Sequence, residues 1–130
     1  MSNDANSIRT PMSRVRYLGS SRSGTLDVWR MRATSAALIP LTLGFVWLVL
    51  SLVGKDYKTV RDTMSGVVPS ILMLLFVGVG VFHMKLGMKV ILEDYVHGEH
   101  ARTWAVLANE FFCYAIGLAC LYAILRVGFV

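Results

Sequence analysis

From Val67 to Met84 the chain carries no formal charge. Such a stretch is too long and too apolar for the core of a small soluble domain. It is long enough to cross hydrocarbon, where every backbone polar group has to find its partner inside a helix. Two further apolar blocks run from Ala33 to Val53 and, with Glu110 and Arg126 as its charges, from Trp104 to Val127. Hydrophobic residues make up 55% of the 130-residue chain and charged residues 16%, and the charges gather between the blocks. This pattern predicts an all-α membrane protein with three transmembrane helices, over about 33–53, 67–95 and 104–127.

The central block organises the rest. Beyond Met84 it turns amphipathic, with Lys85 and Lys89, and closes on Glu93, Asp94 and Tyr95. As one helix it is roughly 43 Å long, enough to cross a core of ~30 Å and enter the headgroups. Alternate steps of four and three from Phe76 reach Gly80, His83, Gly87, Val90 and Asp94, which form one stripe. Lys85 and Lys89 point away from it and are expected to snorkel to the headgroups. His83, between glycines one turn below and one above, has open space beside it for a flat group or a closely packed helix.

Residues 1–32 are read as an N-terminal segment on the cytoplasmic side, the first ~13 disordered. The basic stretch Arg14–Thr25 suits a partner or a headgroup surface, and Asp27 is expected to cap a short helix carrying Trp29, Arg30 and Arg32. No apolar targeting region precedes Ala33, so insertion is expected to rely on the first span. Pro40 is expected to bend that span. Polar loops are expected over Gly54–Thr63 and His97–Thr103, placing Asn109 and Glu110 at interfacial depth in the third span.

Orientation follows from Lys and Arg. Arg9, Arg14, Arg16, Arg22, Arg30, Arg32, Lys85, Lys89 and Arg102 share one side; Lys55, Lys58, Arg61 and Arg126 share the other. Nine against four places the N-terminus in the cytoplasm or the equivalent matrix space, and His83 in the inner half of the bilayer. The net charge of +5 is thus membrane topology; its arginines flank apolar blocks and do not alternate with exposed aromatics as in a nucleic-acid surface. Cys113 and Cys120, seven apart, share a helix face and read as small core hydrophobes.

No nucleophile constellation, phosphate loop or metal-spaced Cys/His cluster is present, so no catalytic residue is assigned and the chain is non-catalytic alone. Three places hold candidate chemistry, each with a plainer reading beside it. His83 suits axial ligation of haem iron, or a hydrogen bond across a helix interface. Tyr95 offers a phenol where a quinone headgroup would lie, with Asp94 to orient it; both also suit interface anchoring. Arg32 suits haem propionates or an anionic lipid, or is a topology marker. Two rival functions remain open: a cofactor-free three-span assembly protein, and a proton-relay or transport subunit using His83, Asp94 and Glu110, which the lack of internal repeats disfavours.

The motif HMKLGMKVILEDYVH, in which Tyr95 follows His83 by twelve residues with Asp94 before it, resembles the second transmembrane helix of the small hydrophobic membrane-anchor family of succinate dehydrogenase, respiratory complex II. Gly19–Leu41, GSSRSGTLDVWRMRATSAALIPL, is similar to the same family's entry into its first helix, though Val28 and Met31 stand where an aromatic and Gln are expected. The resemblance implies one part of a heteromeric helix bundle, with a flavoprotein subunit, an iron–sulfur subunit and a second hydrophobic cytochrome b anchor subunit as partners. It implies that His83 is an axial ligand of a haem b shared with that second anchor, that Arg32 lies near the propionates, and that Tyr95, supported by Asp94, hydrogen-bonds ubiquinone. The complex would pass electrons from succinate to quinone in the tricarboxylic acid cycle and respiratory chain, in the bacterial cytoplasmic (inner) membrane or the mitochondrial inner membrane. The basic N-terminal stretch and the His97–Thr103 loop would contact the iron–sulfur subunit.

Overall fold

The computed structural model describes residues 24–129, with the side chain of the last left out. Residues 1–23, which hold the segment expected to be disordered and most of the basic Gly/Ser-rich stretch, lie outside the described residues, as does Val130. Four helices follow in order: α1 Gly24–Leu52, α2 Tyr57–Met64, α3 Val67–Tyr95 and α4 Glu99–Phe129. Among the described residues α1, α3 and α4 are long and apolar enough to cross a membrane, and no strand is present. The fold is all-α with three candidate spans.

Three local expectations are corrected. Asp27 does not start a separate short helix: α1 runs continuously from Gly24, through Pro40, to Leu52. It ends because Gly54 takes a left-handed backbone, φ +78°, while the Lys55 N–H bonds the Leu52 carbonyl at 3.2 Å. The stretch 54–63 is not all loop, since α2 occupies most of it. Val60, Thr63 and Met64 form a half-buried stripe that single apolar residues one turn apart concealed in a polar sequence. Asp56, extended at φ −70°, ψ 159°, leads into it; its carbonyl takes the Val60 N–H at 3.0 Å, and its carboxylate accepts the Thr59 hydroxyl. The second expected loop shrinks to Val96–Gly98, because helix resumes at Glu99, whose negative charge suits a helix N-terminus.

The long helices alternate in direction, and α3 packs on both others. Along α1 and α3, residue numbers rise on one helix as they fall on the other. Phe45 stacks on Phe76 with ring centroids 4.5 Å apart and planes within 7°, a contact worth about 0.5–1.5 kcal/mol beyond its buried area. Next to it a Cβ at Gly44 would lie 3.1 Å from Leu72 Cδ1, so any larger residue there would require the Leu72 side chain to shift. Between α3 and α4, the position of a Gly117 Cβ lies 3.5 Å from Val81. Among the described residues only Leu48, Leu86, Cys113 and Asn109 are buried, while Trp29, Trp47, Trp104, Phe111 and Phe112 are exposed. A surface this apolar on nearly every side needs lipid or other subunits to cover it.

Candidate functional site

His83 lies on α3 sixteen residues in from Val67 and twelve short of Tyr95, about 18 Å of helix from its C-terminal end. It faces α1. Its Nδ1 is 2.9 Å from Thr34 Oγ1, and that hydroxyl is also within reach of the carbonyls of Arg30, 2.8 Å, and Met31, 3.0 Å. The expected open space is greatest at Gly87. Nothing lies within 4 Å of where a Cβ would stand at Gly87, whereas at Gly80 Leu38 Cδ2 comes to 4.0 Å. The ring is half-buried, with one nitrogen held by α1 and a free approach from the Gly87 side. Nε2 makes no hydrogen bond among the described residues. An imidazole held at one nitrogen, its other nitrogen free of hydrogen bonds among the described residues, has the chemistry of a metal ligand.

Asp94 stands eleven residues after His83, about 20° round the helix from it, and Tyr95 stands about 120° round. Both are exposed, Tyr95 at 76%, and Tyr95 is the last helical residue. Arg32 is exposed; two residues from Thr34, it points about 200° away from the face that meets His83. Within this chain His83 and Arg32 are therefore not brought together.

Each lysine is paired with a carboxylate of a neighbouring helix at a partly exposed site. Lys85 Nζ lies 2.6 Å from Glu110 of α4, donates to the Tyr114 hydroxyl at 2.9 Å and sits 4.6 Å from that ring's centroid. Asn109, buried, donates to the Lys85 backbone carbonyl at 3.1 Å and accepts the Cys113 thiol at 3.6 Å. Lys89 donates to Asp27 of α1 at 2.7 Å, with Glu93 at 4.0 Å. Glu110 and Asn109 thus serve α3–α4 packing around Lys85, which lies two residues from His83 but on another face of α3. Desolvation gives the reason: a cation inside an apolar bundle gains more from a carboxylate than from a strained path to water. Cys113 and Cys120 are both free thiols, the first buried.

Thr34, Asp27, Glu110 and Tyr114 are the partners that reading the sequence missed. Matching depth across antiparallel spans would have found them: the paired positions on α1 and α3 have nearly constant summed numbers, as Thr34 with His83 and Asp27 with Lys89 show.

These features define a multi-pass membrane subunit, with an intramembrane histidine between two helices, ion pairs locking three, and an apolar outer surface made to be covered. A family model for the succinate dehydrogenase/fumarate reductase transmembrane subunit matches residues 6–117, and the chain belongs to that family. It is 30% identical over 119 residues, 92% of either chain, to the succinate dehydrogenase hydrophobic membrane anchor subunit of Paracoccus denitrificans. It is 23% identical to the protein of the same name from Rickettsia bellii, over 92% of this chain and 96% of that one, and 29% identical to the succinate dehydrogenase membrane anchor subunit of Reclinomonas americana, over 63% and 71%. No solved structure matches the chain significantly.

Proposed function

We propose that this chain anchors a succinate dehydrogenase in the membrane, supplies one axial ligand of a haem b through His83, and helps form the ubiquinone site through Tyr95 and Asp94. Its partners in this reading are a flavoprotein, an iron–sulfur protein and a second hydrophobic anchor, the last giving the opposite iron ligand. The N-terminus and the Tyr95 end of α3 face the cytoplasm or matrix by the charge asymmetry. The observation that carries the haem assignment is the half-buried His83 ring, fixed at Nδ1 and open beside Gly87. When bound, the haem supplies a one-electron carrier between soluble subunits and quinone. Tyr95, at the exposed end of α3, donates its phenolic proton in a hydrogen bond to a quinone carbonyl, and Asp94 orients that phenol. Arg32, which makes no ion pair among the described residues, points away from the His83 face of α1, a position that suits an anionic lipid or partner group better than a propionate of a haem at His83.

A cofactor-free tether is the second reading, and one observation favours it: the Thr34–His83 bond alone would also join α1 to α3. The reduced-minus-oxidised spectrum of the purified complex separates the two. A b-type band that His83→Ala diminishes is expected; its absence from the unaltered complex removes the haem assignment. Tyr95→Phe is expected to lower succinate–quinone turnover while artificial-acceptor reduction continues, and unchanged quinone turnover removes Tyr95 from the site.

A further inference from the structure

The His83 ring has two nitrogens, and one proton decides which of them can bind a metal. Thr34 Oγ1 has one proton and two lone pairs. It lies 2.9 Å from Nδ1, 2.8 Å from the Arg30 carbonyl and 3.0 Å from the Met31 carbonyl. If the hydroxyl gave its proton to Nδ1, the ring would carry its hydrogen on Nε2, one hydrogen bond would form, and an N–H donor would be stranded in apolar surroundings. If the hydroxyl instead gives its proton to the Arg30 carbonyl, Nδ1–H donates to Oγ1. Two bonds then form from the same atoms, no donor is stranded, and Nε2 keeps its lone pair. Back-bonding of a helical threonine hydroxyl to the carbonyl four residues earlier is the usual use of that group.

We propose that Thr34 is the positioning residue for His83: its hydroxyl accepts the Nδ1 proton, fixes the tautomer and the ring plane, and so presents the Nε2 lone pair on the side left open at Gly87. This rests on the haem reading above and deepens it. A ligating histidine whose other nitrogen is hydrogen-bonded is a stronger donor, and removing such a partner typically costs about 10–100-fold in metal affinity. Thr34 itself touches no iron. Its effect passes through the electron density and orientation of His83.

The test uses the whole assembled complex with two variants. Thr34→Val keeps the shape and removes the acceptor; Thr34→Ser keeps the hydroxyl and removes the methyl. With Thr34→Val, haem retained through detergent washing is expected to fall, the midpoint potential of the remaining haem to rise as the ligand becomes a weaker donor, and the low-spin electron paramagnetic resonance g-values to move. Thr34→Ser is expected to restore all three. Thr34→Val with unaltered potential, g-values and retention overturns the proposal. Thr34→Ser behaving like Thr34→Val also overturns it, because the methyl and not the hydroxyl would then matter. A complex with its native Thr34 and no haem band defeats the haem reading itself, which is a separate result from either.

Discussion

Replacing Glu110 by Gln removes the carboxylate from Lys85 while nearly preserving shape. Lys85 stands ten residues before the C-terminal end of α3, about 15 Å of helix, too far for its stem to snorkel freely. A lysine stranded at the centre of a spanning helix costs about 2.5–3.5 kcal/mol on insertion scales. Two features reduce this here. The Glu110 side chain is 44% exposed against 18% for Lys85, so the pair is partly solvated, and the Tyr114 hydroxyl and ring remain beside the ammonium, returning roughly 0.5–1 kcal/mol. The expected net loss is about 1–2 kcal/mol, or about 5–30-fold in the folded-to-unfolded ratio. A double-mutant cycle of Glu110→Gln and Lys85→Met, read as reversible unfolding in bicelles, isolates the pair: the double variant should be more stable than the two single losses predict. Losses that simply add, within about 0.5 kcal/mol, would refute the claim that this pair locks α3 to α4. Asp27→Asn is the comparison. Lys89 lies four residues nearer the helix end and keeps Glu93, so less than about 1 kcal/mol is expected.

Gly44→Leu places a side chain where Leu72 stands 3.1 Å away, and should lower stability by about 1–3 kcal/mol by prising α1 from α3; Gly78→Ala, with nothing within 4 Å, should be neutral or gain up to about 1 kcal/mol from helix propensity. Thermal unfolding of the complex reads both. In α2, the Thr59 hydroxyl donated to Asp56 holds that carboxyl below its ordinary value. Its contribution is therefore full at neutral pH and lost as pH falls below that ordinary value through the lowered one. The protection of the Thr59 and Val60 amides, exchange relative to the intrinsic rate at each pH, should fall only in that acid range, and Asp56→Asn should flatten the dependence.

The three spans were legible because hydrocarbon leaves a chain few choices: a long uncharged run must become a helix, and its length in residues fixes its length in ångströms. The stripe through Gly80, His83 and Gly87 was legible for the same reason, since helical periodicity is a property of one helix alone. What faces that stripe is a property of two. The Thr34–His83 bond, the Lys85–Glu110 and Lys89–Asp27 pairs and the close approach at Gly44 depend on how deep each helix sits against its neighbour. No local rule sets that register. Composition marked the lysines only as charged groups toward one end of a span; the tertiary arrangement brought carboxylates of the neighbouring helices within 2.7 Å of them, which offsets the cost of a cation in apolar surroundings.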